Sequence, residues 1–164
     1  MARPHIEPFV DRDVVFKPMT LAGFKPGMHY KTLSIDSETG ASSLTVQYDA
    51  SFKQPPGFSY TEYEFLLMEG TLQVGDTLWQ KGAYFFVPPG VALGAISTET
   101  GASGLLLTNF GPPSFEESDA DHDDADRSGL VMINAYDDLD WITMPRRMPG
   151  VTGRATSYMP KVFL

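Results

Sequence analysis

The sequence predicts an all-β domain. Apolar residues come in short runs rich in β-branched and aromatic types, Gly, Pro, Asp or Ser bounds each run, and no segment keeps a 3.6-residue apolar period between helix caps. In chain order the runs are "VVFK" from 14, "HYKTLSI" from 29, "SSLTVQY" from 42, "YEFLLM" from 63 and "TLQV" from 71. "AYFFV" from 83, "GLLLTNF" from 104 and "LVMINAY" from 130 complete the set. Each has the length of one strand, so helices are expected to be few or absent.

The connections carry their own signals. "ETGAS" occurs twice, at Glu38 to Ser42 and at Glu99 to Ser103, each time just before an aliphatic run. Gly40 and Gly101 can take the positive φ that a tight connection needs, so the repeat reads as two structural turns. From Phe115 to Arg127 the chain reads "FEESDADHDDADR", with no core-forming residue after Phe115. Asp119, Asp121 and Asp123 have the alternate spacing of a calcium loop, but Asp124 stands where the sharp turn needs Gly and Leu130 where a bidentate Glu should close the shell. A solvated acidic linker is expected there, with His122 a bystander. The closing "DLDWITMPRRMPGVTGRATSYMPKVFL" weakly echoes the opening "DVVFKPMTLAGFKPGMHYKTL". It reads either as a terminal strand that docks on a barrel or as the start of a second repeat.

Composition bounds the function. At 164 residues one compact core is available. The net charge of -9, from 21 acidic against 12 basic residues, repels phosphate backbones and anionic headgroups. Neither a nucleic-acid nor a membrane partner is therefore expected. The absence of Cys excludes disulfides and thiolate chemistry, and "MARPHIEPFVDRD" lacks the apolar region of a secretory leader, so a cytoplasmic location is expected.

Two segments carry a family resemblance. "GAYFFVPPGVALG", from Gly82 to Gly94, has Gly82, Pro88 and Gly90 at the spacing of the second sequence motif of the cupin superfamily. "YEFLLMEG" ends in Gly70, which resembles the hairpin Gly closing the first motif. The resemblance covers about residues 29 to 110. It implies a cupin-like antiparallel β-barrel, the double-stranded β-helix of jelly-roll type, in which the Pro-rich corner redirects a strand into the barrel mouth. It also implies a domain plan: extension 1–12, barrel 13–111, acidic linker 112–128, and 129–164 as a β extension or second repeat.

The chain departs from the family at the metal ligands. The motif's metal-binding His is replaced by Leu93, Gly57 to Thr61 contain no His pair, and counting back from Gly70 puts Tyr63 in the usual Glu slot. Zinc or iron in an N/O site needs about three protein ligands, whereas only His5, His29 and His122 are present. No cofactor is therefore expected, although a divalent ion on substitute ligands His29, Glu62 and Glu64 stays open.

Strand alternation leaves two pictures of the cavity. In one, Tyr63, Phe65 and Leu67 point inward with Phe86 or Phe85 and with Leu93, making an apolar and aromatic pocket. Tyr48 and Tyr60 are then the polar-tipped candidates to orient a ligand. In the other, a one-residue slip or bulge turns Glu62 and Glu64 inward, near His29 and Tyr60, as a carboxylate site for an ion or a general base. The leading functional expectation is a small apolar or aromatic ligand bound without a metal. The alternatives are a metal-dependent oxygenase or isomerase with substitute ligands, and a structural or regulatory half of a double-cupin assembly. A homodimer is expected from the terminal strands.

Overall fold

The structure, a computed structural model, describes residues 11–134 and the backbone of two further short strands, Trp141–Thr143 and Thr152–Arg154. His5, most of segment 129–164 with its echo of the chain's opening, and Leu164 lie outside the described residues.

The described chain is almost wholly β, with helix limited to two 3₁₀ turns, Asp11–Asp13 and Arg127–Gly129. Its strands are β1 (Lys17–Pro18), β2 (Met28–Ile35), β3 (Ser42–Tyr48), β4 (Lys53–Gln54), β5 (Gly57–Phe58), β6 (Tyr63–Val74) and β7 (Thr77–Gln80). They continue as β8 (Tyr84–Val87), β9 (Ile96–Ser97), β10 (Ala102–Thr108), β11 (Glu116–Glu117), β12 (Val131–Ile133), β13 (Trp141–Thr143) and β14 (Thr152–Arg154). All pairings are antiparallel, and the main sheet runs β1-β2-β3-β10-β6-β8-β12. The far end of β6 leaves this path to pair with β7 and β9, and β9 pairs with β4, so the sheet curls over on itself as a cupin barrel.

One strand corrects the reading of the sequence. Residues 63–68 and 71–74 were expected as separate strands turned by Gly70, but β6 is continuous over twelve residues, and the hairpin to β7 falls at Gly75 and Asp76. Glu69 faces Ser103 while Leu67 faces Gly104, so Met68 is an extra residue on β6, and Gly70 follows with φ +77°. A bulge next to a positive-φ glycine bends a strand without ending it.

The bulge also switches which residues point inward. Before it the buried residues carry odd numbers, Phe65 and Leu67; after it they carry even ones, Leu72 and Val74. A single amphipathic strand thereby lines both walls of the barrel. On β10 the inward positions are Ala102, Gly104, Leu106 and Thr108. A Cβ on Gly104 would stand 2.4 Å from Phe65 Cζ, so the missing side chain is what seats the Phe65 ring.

The two "ETGAS" repeats are turns: Gly40 has φ +76° before β3, and Gly101 has φ +92° before β10. The acidic segment is fastened to the barrel rather than free in solvent. Its β11 pairs with β5, Ser118 N donates to Pro56 O (3.0 Å), and His122 N donates to Gly90 O (2.9 Å). Beyond it, β12 joins the barrel's own sheet beside β8. Among the described residues no helix is long and apolar enough to cross a membrane.

Candidate functional site: a cavity inside the barrel

The barrel interior holds a cavity of about 80 Å³. Its wall is mainly aromatic and aliphatic: Phe24, Met28, Phe52, Phe58, Phe65, Leu72, Val74, Phe85, Leu93, Ile96, Leu106 and Phe115. The rings brace one another, Tyr48 at 4.9 Å from Phe52 and Phe65 at 5.9 Å from Phe85 between centroids, with Trp79 edge-on to Phe85 at 4.8 Å behind them. Interlocked aromatics fix a pocket's shape better than aliphatics do, because each ring has few rotamers and a preferred approach geometry.

Leu93 is held by a pair of backbone hydrogen bonds to Gly57, with N to O distances of 2.9 and 3.1 Å. The corner that delivers it is a turn closed by Val91 N donating to Pro88 O (3.3 Å), with Gly90 at φ +75°. The corner thus carries an aliphatic side chain, 7% exposed, to the place where the motif would put a histidine.

The residues singled out from the sequence separate into two groups. Tyr48, Tyr63, Phe65 and Leu93 line the cavity. Tyr60, Glu62, Glu64 and Phe86 do not. Phe86 faces away while its neighbour Phe85 is 3% exposed and inward, a correction to the choice of Phe86. The sequence carried a signal for it, since Ala83, Phe85 and Val87 form one wholly apolar face and Tyr84 on the other face has a polar tip. Glu64 accepts a hydrogen bond from Tyr84 Oη (2.7 Å), and Glu62 accepts one from the Asn109 amide. The bulge falls after Leu67, downstream of both carboxylates, so they stay outside.

His29 is likewise outside the cavity wall, with Nε2 at 3.0 Å from Asp49 Oδ2. Tyr60 is 57% exposed, hydrogen-bonds Glu116, and lies within 5.8 Å of the His122 ring, which also meets Phe58 at 5.6 Å. His122, expected as a bystander, is therefore part of the contact between strap and barrel.

The acidic strap contributes Pro113, Ser114 and Phe115 to the cavity wall, a role that composition alone did not reveal. It is latched by Asp121. One carboxylate oxygen accepts from Ala92 N (2.8 Å), the other from Arg127 Nε (2.7 Å), and Arg127 Nη2 also donates to Ala92 O (2.8 Å). The hydrogen bond from Arg127 holds the Asp121 carboxyl below the usual carboxylate range. Phe24 and Phe52, also missed from sequence, reach the cavity from loops, where no periodicity marks an inward face.

Burial pushes the phenols of Tyr48 and Tyr63 well above the ordinary tyrosine range, and Tyr48 adds to the effect on Tyr63. Both stay neutral at physiological pH. The metal that the fold family implies would need about three N or O donors. No His, Cys, Asp or Glu side chain lines the cavity. Among the described residues no group of three such side chains is placed to hold an ion. The donor set lining the cavity does not fit a metal.

Comparison with known proteins agrees with this architecture. The chain resembles a protein from Nostoc punctiforme described as a candidate dioxygenase, with a TM-score of 0.75 and 23% identity over 85% of this chain. It spans about half of that protein, 51% of its length. It also resembles the polyketide cyclase RemF from Streptomyces resistomycificus, with a TM-score of 0.59, 16% identity and coverage of 73% of this chain and 89% of the other. An acetylacetone dioxygenase from Acinetobacter johnsonii gives a TM-score of 0.55 at 16% identity, over 80% of this chain and 87% of that one. At these identities the likeness establishes the cupin fold. A search of the curated proteins finds none that matches. The family model for a domain of unknown function (DUF4437) matches residues 16–159, most of the chain, and the protein belongs to that family.

Proposed function

We propose that this protein is a cytoplasmic homodimer that binds a small apolar molecule inside its cupin barrel without a metal ligand. The observation that carries the reading is the cavity wall, aromatic and aliphatic on most sides and free of ionisable groups other than two neutral phenols. A wall of this kind favours transfer of an apolar ligand from water and offers nothing to offset the desolvation of a charge. The volume of about 80 Å³ limits the guest. It is roughly half of the ~150 Å³ that admits benzene in an engineered apolar cavity, so a guest larger than benzene, with its six heavy atoms, is not expected to fit.

The metal-dependent alternative needs Glu62, Glu64 and His29 around one ion. The observed register supports the binding reading instead, since these three side chains have separate partners outside the cavity. A second reading is favoured by one observation: the chain aligns to half of the longer Nostoc protein, as expected if such barrels work in pairs, within one chain or between two. Sedimentation equilibrium distinguishes a dimer from a monomer.

The binding reading is tested by titrating isotope-labelled protein with cyclopentane and following backbone amide shifts. Saturable shifts at Phe65, Phe85 and Leu93 are expected, abolished by the cavity-filling Leu93→Phe. Shifts that stay flat to the solubility limit of cyclopentane would overturn the reading.

A further inference from the structure

The polar groups on the cavity wall are few, and their partners can be accounted for. Six lining side chains carry a polar tip: Tyr48, Gln54, Ser59, Tyr63, Thr108 and Ser114. Gln54 is used at both ends, its Oε1 accepting from Lys25 N and its Nε2 donating to Gly23 O, each at 2.9 Å. Ser59 and Ser114 bond each other at 3.1 Å, and each also accepts a backbone N–H at 3.0 Å. Thr108 accepts from Ser42 N (3.0 Å) and donates to Gly111 O (3.1 Å). The phenols of Tyr48 and Tyr63 have no hydrogen-bond partner among the described residues, and they do not bond each other.

Their oxygens are not sealed in the protein either. The one fully enclosed side-chain nitrogen or oxygen without a partner, among the described residues, is Trp79 Nε1. The two phenol oxygens therefore keep access to open space, and both residues line the cavity. An accessible O–H that has no protein partner, on a wall that is otherwise apolar, is a donor free for an acceptor on a ligand.

Two such donors on the wall of one cavity without formal charge define a ligand chemistry. A hydrocarbon leaves both O–H groups unsatisfied. A carboxylate would find two donors but no cation to offset its desolvation. A neutral oxygen, carbonyl or ether, accepts a hydrogen bond from a phenol at no such cost. We propose, building on the binding reading above, that Tyr48 and Tyr63 select small neutral molecules carrying an acceptor oxygen over hydrocarbons and over carboxylates. The aromatic and aliphatic wall supplies the affinity, and the phenol pair supplies orientation and discrimination.

The test compares cyclopentanone, cyclopentane and the size-matched cyclopropanecarboxylate on the wild-type protein, on Tyr48→Phe and on Tyr63→Phe. A wall that is merely apolar binds cyclopentane more tightly than the more water-soluble ketone. The proposal expects the ketone to bind at least as tightly as the hydrocarbon, and the carboxylate not to bind. Each Tyr→Phe change should weaken the ketone by about two- to ten-fold, the worth of one neutral hydrogen bond, while leaving cyclopentane within about two-fold. Should either variant fail to fold, the carbonyl ¹³C resonance of labelled cyclopentanone on wild-type protein gives an independent answer. A downfield shift relative to the ketone in hydrocarbon solvent reports donated hydrogen bonds. Cyclopentane binding with a weaker, substitution-insensitive ketone and an unshifted carbonyl would overturn this proposal and leave the binding reading standing. Failure of both neutral probes would overturn the binding reading itself.

Discussion

Gly70→Ala puts the bend of the long strand to the test. At φ +77° a residue with a Cβ occupies the left-handed region at a cost of about 1–2 kcal/mol. The added Cβ would also stand 2.3 Å from Gly101 O and 2.9 Å from Ala102 Cα, both backbone atoms that cannot rotate aside. The strands β6 and β10 would have to part by about 1 Å to restore contact distance, an overpacking strain of about 1–3 kcal/mol. The sum, about 2–5 kcal/mol, corresponds in a chain of this size to a melting temperature lower by about 4–20 °C. Gly75→Ala separates the two terms, because Gly75 has φ +56° but its nearest non-adjacent atom is Gly94 Cα at 3.8 Å. It should lose only the backbone part, about 2–8 °C. Thermal melts by circular dichroism at one fixed scan rate provide the assay. A Gly70→Ala melting temperature no lower than that of Gly75→Ala would refute the close approach at the bulge.

Other outcomes follow from the cavity and its strap. Leu93→His should acquire no stoichiometric iron by elemental analysis, because no other imidazole or carboxylate lines the cavity and the two phenols stay protonated. Gly104→Ala should displace the Phe65 ring, with which its Cβ would collide, and cost about 1–3 kcal/mol in chemical denaturation while altering the shifts of Phe65 and Phe85. The Asp121 latch should be pH-dependent. Its folded-state pKa lies below the ordinary carboxylate value, so the unfolded chain takes up the proton first as pH falls. The stabilisation is present above about pH 4 and lost as pH drops through the depressed folded value. Wild type should therefore melt above Asp121→Asn near pH 6, with the gap closing towards pH 3. A gap that is constant with pH would remove the ion pair from the explanation.

How far the sequence could be read depended on whether a feature was local. β2 and β3 were legible because "HYKTLSI" and "SSLTVQY" are β-rich runs set off by Gly27, Gly40 and Asp49. The turns at Gly40 and Gly101 were legible because only glycine takes that φ cheaply. The inward face of β6 was left open between two parities, and the choice lay in the bulge at Met68, which is set by pairing with β10 rather than by any residue of β6 alone. The two-residue strands β4, β5, β9 and β11 are shorter than any sequence period and exist through their partners. The strap looked like a linker because its anchors are backbone pairings and scattered side-chain contacts to the barrel, such as Asp121 and Arg127 on the Ala92 backbone and Glu116 on Tyr60, invisible in an acidic composition. Tyr63 and Leu93 could be named from motif spacing, whereas Phe24, Phe52 and Phe115 enter the cavity from loops and leave no periodic trace.

The central claim is that the barrel interior is a mainly apolar binding site with no metal in it. Anomalous diffraction from xenon-pressurised crystals, grown from untagged protein purified without chelator, tests both parts in one map. The account predicts a xenon peak bounded by Tyr48, Phe65, Phe85 and Leu93, as apolar cavities take up this gas, and no protein-bound metal peak beside it. A cavity that excludes xenon, or a metal peak ringed by protein donors, would contradict it.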